Sequence, residues 1–154
     1  MPRVKHYFEE GQYVHITTRT ERAAFLLAPD AAKSIVLSSL RAYEQKGFFR
    51  LLAYVIMDNH VHFVISVLNA DGLAAALGRM KGWTSAQVQA TTGCRGPVWE
   101  RRFDDNVIQS ERELRQVIDY LHHNPVRVGL VKQATDYPWS SARKWAAEGP
   151  PLRA

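Results

Sequence analysis

The sequence predicts an α+β fold, a central antiparallel sheet with helices packed on it. Three observations lead there. Short runs rich in β-branched and aromatic residues, at 13–19, 48–57 and 60–68, read as strands. The second and third runs are separated only by Asp58-Asn59, a tight-turn pair that makes neighbouring strands antiparallel. The longer stretches between and after the strands carry apolar residues at helical spacing. The order reads β-α-β-β-α-β(β)-α, helices interspersed with mainly hairpin-connected strands.

Taken in order, Tyr13 to Arg19 is the first strand. Pro29-Asp30 precedes a helix from about Ala31 to Gln45, in which Ile35, Leu37, Leu40 and Tyr43 suit burial. Lys46-Gly47 ends it, because glycine tolerates the left-handed turn that terminates helices. The hairpin Phe48–Met57 and His60–Leu68 follows. Asp71 is read as the cap of a helix running to about Thr91, with Leu73, Leu77, Met80 and Trp83 on one side. A loop from Thr91 to Pro97 leads to two short strand candidates, Val98–Phe103 and Asn106–Gln109. Ser110-Glu111-Arg112-Glu113 is a capping box, a hydroxyl followed three residues later by a carboxylate. It opens a helix to about His123 with Leu114, Val117, Ile118 and Leu121 as its buried stripe. Pro125 should end that helix, since proline disfavours helical geometry in the residue before it.

The bulk numbers suit one domain spanning residues 1–154, with no repeat, low-complexity tract or linker. Charged residues make up 23% and apolar ones 46%, ordinary values for a globular chain. No apolar run approaches the roughly 20 residues a membrane helix needs, and Met1–His6 lacks a signal-peptide core. The expected location is the cytoplasm. One cysteine, Cys94, excludes an internal disulfide and cysteine-type zinc sites and reads as a loop thiol. A net charge of +5 favours a polyanionic partner, because a positive field attracts phosphates and releases their counterions.

Chemistry concentrates in two places. In the strand His60-Val61-His62, residues two apart share a face about 7 Å apart along the chain, so both imidazoles project together while Val61, Phe63, Ile65 and Val67 enter a core. Two neutral imidazoles at that spacing can grip one divalent ion. On the capped helix, Tyr120 and Asn124 stand one turn apart on the same face. If this helix packs across the histidine face, all these groups converge. The histidine nitrogens and the Asn124 carbonyl would then form a site for Mg²⁺ or Mn²⁺ with open positions, and the Tyr120 phenol would be the nucleophile.

These residues resemble the HUH single-tyrosine transposases, and within them the REP-associated tyrosine transposases. The resemblance runs from about Gly11 to Trp145. It is carried by the segment Gly11 to Thr20, the histidine strand Tyr54 to Val67, Trp99-Glu100-Arg101-Arg102-Phe103, Asp119 to Val131 and Asp136 to Ala142. It implies an HUH/ferredoxin-like sandwich. It implies that His60 and His62 are metal ligands, that Asn124 takes the third ligand position where many insertion-sequence relatives carry glutamine, and that Tyr120 is the nucleophile. The implied reaction is cleavage of single-stranded DNA beside a hairpin of the REP type, through a 5′-phosphotyrosine that frees a 3′-hydroxyl. The covalent intermediate conserves bond energy, so strands rejoin without ATP. A free phenol titrates near about 10, so Tyr120 needs a base or a nearby cation, and the sequence identifies no base. His122 and His123 are neighbours that helical geometry points elsewhere. The family also implies direct reading of a short tetranucleotide guide at the hairpin foot, and a bacterial, nucleoid-associated setting. A monomer acting in cis is favoured, with a dimer as the alternative.

Other residues have plainer readings. Arg101, Arg102, Arg127 and Lys132 are candidates for phosphate contact, with Arg19, Lys81, Arg143 and Lys144 weaker ones; their default is a solvated surface. Trp99 and Trp139 can stack on bases but suit core packing better. Two other functions use the same fold: a DNA-hairpin binding or regulatory protein with little catalysis, and a metal-dependent phosphodiesterase using water.

Overall fold

In the computed structural model, which describes residues 7–149, strands β1 (Tyr13–Thr20), β2 (Phe49–Ile56), β3 (His60–Val67) and β4 (Trp99–Ile108) form one antiparallel sheet in the order β2-β3-β1-β4. The reading of Met1–His6 concerns residues outside those described. Helices α1 (Asp30–Gln45) and α2 (Ala70–Thr92) connect the strands in the split βαβ pattern of ferredoxin-like folds. Helices α3 (Glu111–Arg127) and α4 (Ala142–Glu148) follow the last strand. The expected α+β sandwich is the observed architecture.

The alternation of strand side chains divides the core in two. Val61, Phe63, Ile65 and Val67 of β3 join Val14 and Ile16 of β1 in a cluster with α1 and α2. On the other face Val64 packs with Ala53, Val55 and the α3 residues Leu114, Ile118 and Leu121. His60 and His62 share the parity of Val64, so they face the α3 side. The histidine face is therefore the one that α1 and α2 leave uncovered.

Several elements depart from expectation. The α1 stripe is Ala32, Val36 and Leu40, with Ile35, Leu37 and Tyr43 half-buried at its edges. Asn69 caps α2, its side chain accepting from the Gly72 N–H at 3.0 Å, while Asp71 sits in the first turn. Trp83 is 47% exposed. Thr84 takes its place in the stripe because its hydroxyl is satisfied, donating to the Met80 carbonyl at 2.7 Å and accepting from Trp99 Nε1 at 2.9 Å. Trp99 and Trp139 pack against the core, and Trp139 Nε1 donates to Asp30. The two short strands after the loop are one ten-residue strand, β4. Asp104 and Asp105 look like a break, but backbone pairing with Thr17 and Ile16 of β1 is indifferent to side-chain type, and Arg19 pairs with the Asp104 carboxylate.

Helix α3 also runs past Pro125. The proline falls in the last turn, where its missing N–H costs one ladder bond, and it is buried. The turn still closes: Val128 N–H donates to Asn124 at 3.3 Å and Leu130 N–H to Pro125 at 2.9 Å. Gly129, at φ +82°, then supplies the left-handed exit. The segment before α4 seals the β2 edge. Ile56 N–H donates to the Trp139 carbonyl at 2.8 Å, and Ser141 N–H to the Tyr54 carbonyl at 3.0 Å. Among the described residues no helix is long and apolar enough to cross a membrane.

Candidate active site

The two histidines of β3 are fixed through their Nδ1 atoms. His60 Nδ1 lies 2.7 Å from Asn59 Oδ1, an acceptor, so Nδ1 carries the proton and Nε2 keeps a free lone pair. His62 Nδ1 lies 2.9 Å from Thr17 Oγ1 and 3.1 Å from His15 Nε2, both on β1. That register, Thr17 opposite His62, comes from the β1–β3 pairing. The imidazole rings of His60 and His62 stand 4.9 Å apart, edge to face.

Helix α3 supplies the other half. Its start is set by Ser110, which accepts from the Glu113 N–H at 3.1 Å, while the Glu113 carboxylate reaches back to the Gln109 N–H at 3.0 Å. Its apolar stripe is seated on β2 and β3 by Leu114, Ile118 and Leu121. This docking presents Tyr120 and Asn124 to the histidines. The Tyr120 ring lies 6.2 Å from that of His62, edge to face, and is 48% exposed. Asn124 is buried, with Nδ2 3.4 Å from His60 Nε2. The guanidinium of Arg127, two turns along α3, lies 4.1 Å from the Tyr120 ring centroid.

The electrostatics keep these imidazoles neutral. Burial pushes His62 down to about 3, and protonation of His60 or His15 and the charges of Arg19 and Arg127 act in the same direction. Burial also lowers His60, with Arg19 adding to it, and lowers His15. A neutral imidazole with its outward nitrogen unprotonated is the form that binds a metal.

The donor set fits a divalent ion. Among the described residues no group of three His, Cys, Asp or Glu converges on one point. His15 is close to His62, but on its Nδ1 side rather than beside Nε2. The third donor available is the Asn124 amide, whose oxygen and nitrogen are nearly isosteric. The amide N–H faces the His60 lone pair; turning the amide would present its carbonyl oxygen instead.

Of the residues singled out from the sequence, His60, His62, Tyr120, Asn124 and Arg127 come together here. Arg101 and Arg102 are exposed on β4, and Lys132 is exposed beyond α3. His122 points away from Tyr120, its Nε2 2.7 Å from Ser141 Oγ; His123 Nδ1 donates to the Asp119 carbonyl at 3.0 Å. His15, Thr17 and Asn59 were not anticipated. His15, Thr17 and Arg19 alternate along one strand and so share a face, but the register that brings them to β3 is not a local property.

Comparison with known proteins points one way. The sequence profile of the family described as "Transposase IS200 like" matches residues 9–124. The chain is 28% identical over 102 residues to the REP-associated tyrosine transposase of Escherichia coli, covering 66% of this chain and 59% of that protein. It is 29% identical over 105 residues to a candidate REP-associated tyrosine transposase of Haemophilus influenzae, covering 60% and 58%. The chain thus spans less than two thirds of the length of these curated relatives. The fold is shared with a REP-associated tyrosine transposase solved bound to a REP hairpin, with a TM-score of 0.78 at 23% identity over 97% of this chain and 87% of that one. A crystal structure of a candidate transposase from Deinococcus radiodurans is similar with a TM-score of 0.53 at 16% identity, covering 79% and 98%.

Proposed function

The chain belongs to the family of IS200-like transposases, and we propose that it cleaves single-stranded DNA beside a hairpin and rejoins it through Tyr120. The observation that carries this reading is the convergence of Tyr120 and Asn124 from α3 on His60 and His62 of β3, with the phenol ring 6.2 Å from His62. The likeness to a structure bound to a REP hairpin supports a hairpin of the REP type as the substrate class.

The Tyr120 oxygen attacks the scissile phosphorus, the bond to the 3′ oxygen breaks, and the products are a 5′-phosphotyrosine and a free 3′-hydroxyl. Attack by a 3′-hydroxyl on the phosphotyrosine reverses the step and joins strands. His60 and His62 through Nε2, with Asn124 through its carbonyl, would hold Mg²⁺ or Mn²⁺, which when bound polarises the scissile phosphate and offsets its charge. Arg127 brings a second positive charge to the nucleophile and is placed to meet the same phosphate. The half-exposed phenol needs no opening of the fold to reach a strand. Arg101, Arg102 and Lys132 contact phosphates farther along the DNA.

Tyr120 faces the histidines of its own chain, its ring 6.2 Å from that of His62, which supports action in cis by a monomer comprising one domain. Its substrate would place it at the bacterial nucleoid, in the cytoplasm.

A labelled hairpin strand incubated with the protein and Mg²⁺ or Mn²⁺, then run on a denaturing gel, tests the reading. A covalent protein–DNA band that disappears in Tyr120→Phe is expected. Cleavage without an adduct, surviving in Tyr120→Phe, would point to water as the nucleophile. Binding without cleavage under either metal would point to a regulator.

A further inference from the structure

The loop between β1 and α1, residues 21–29, is built in a way the chemistry above does not use. Its Phe25 is 70% exposed, while Leu27, two residues on, is fully buried. Arg22 and Ala23 both adopt left-handed backbone, at φ 55° and 56°. Side chains with a Cβ avoid this region, so two in succession persist only where the surroundings enforce them.

Here they do. Buried Thr20 donates its hydroxyl to the Ala24 carbonyl at 2.6 Å, and Glu21 N–H donates to Val98 at 2.8 Å. Leu27 N–H donates to Asp58 at 2.9 Å. Lys33, 4% exposed, directs its ammonium at the carbonyls of Leu27 and Ala28, each at 2.9 Å, and at Asp58 Oδ1 at 2.7 Å. Asn59 joins this frame to the site. Its Nδ2 donates to the Ala23 carbonyl at 3.4 Å while its Oδ1 accepts from His60 Nδ1. The loop and the histidine turn are thus one hydrogen-bonded unit, and that unit holds a phenyl ring in water.

We infer that Phe25 is a stacking platform for an unpaired base of the single strand, carried on the loop that Asn59 ties to the histidine turn. The inference rests on the reading of the chain as a single-strand DNA cleaving enzyme. An unpaired base fits a lone aromatic face, since every base has a π-surface to stack. A protein partner fits poorly, because the exposed apolar residues of this nine-residue loop, Phe25 with Ala23, Ala24, Ala28 and Pro29, fall far below the roughly 800 Å² a side that such an interface needs. Exposed Arg22 on the loop supplies charge for the accompanying phosphate.

Binding is measured by fluorescence anisotropy in EDTA, on a hairpin with an unpaired oligothymidine 5′ or 3′ flank and on the same hairpin without flanks. Phe25→Ala should weaken binding of one flanked form about tenfold, leave the bare hairpin unchanged and melt at the wild-type temperature. Phe25→Trp should restore it. Scanning an abasic site through that flank should reveal a single sensitive position in the wild type that is silent in Phe25→Ala. Equal binding of all DNAs by wild type and Phe25→Ala, or equal loss on flanked and bare hairpins, would overturn the platform. If the wild type forms the Tyr120 adduct under those outcomes, only the platform falls. If it binds no DNA, the functional reading falls with it.

Discussion

Thr17 and His15 both occupy Nδ1 of His62, at 2.9 and 3.1 Å, which leaves Nε2 as the nitrogen that faces outward. Thr17→Val keeps the shape and removes the nearer of these two partners. It should lower Mn²⁺ affinity by about 10–100-fold in an EPR titration, with hairpin binding in EDTA unchanged; unaltered Mn²⁺ affinity would remove Thr17 from the site. Arg127 acts on the other partner. A planar guanidinium stacks on a ring as a lysine ammonium does not, so Arg127→Lys should slow adduct formation and Arg127→Ala should slow it further, by about tenfold or about 1.4 kcal/mol. An adduct rate unmoved by both would confine Arg127 to the surface. At this scale the sequence is informative about kind and not about neighbour. His60 and His62 declare themselves by alternation on one strand. His15 and Thr17 do not, because they reach His62 only through the β1–β3 register.

Among elements, α3 carries the most. Ser110 caps it, and Ser110→Ala should cost about 1 kcal/mol in urea denaturation, with the adduct rate preserved once the protein is folded. The helix is also clipped at its far side, where His122 meets Ser141 of the segment that seals β2. Burial pushes His122 from an ordinary 6.5 down to about 4. The unfolded chain therefore binds more protons than the folded one between those values, and stability falls as pH drops through that window. Melting temperature should decline from about pH 6.5 toward pH 4, and His122→Gln should flatten the decline; His62, shifted the same way, leaves a residue of it. An unchanged pH profile in His122→Gln would assign the effect elsewhere. The capping box and apolar stripe of α3 are local signals and legible. Its continuation through Pro125 is not, because burial of that proline is a tertiary gain that outweighs a local preference. The same holds for β4, where pairing with β1 overrides a polar break.

For the whole molecule, a net charge of +5 matters through phosphates. The logarithm of single-strand affinity should fall linearly with the logarithm of salt, by roughly 0.7 for each phosphate neutralised, and Arg127→Ala should reduce the slope by about one such unit. A salt-independent affinity would contradict phosphate-led binding. The strand order has a further result, in time rather than in space. β3 and β1 are the interior strands, hydrogen-bonded on both sides, so their amides should exchange with deuterium only when the entire sheet opens. Helix α3 lies outside the sheet, with the side that carries Tyr120 open to solvent, and its amides should exchange sooner. The histidines are thus mounted on the slowest backbone in the molecule and the tyrosine on a faster one. Nucleophile and metal grip keep different clocks.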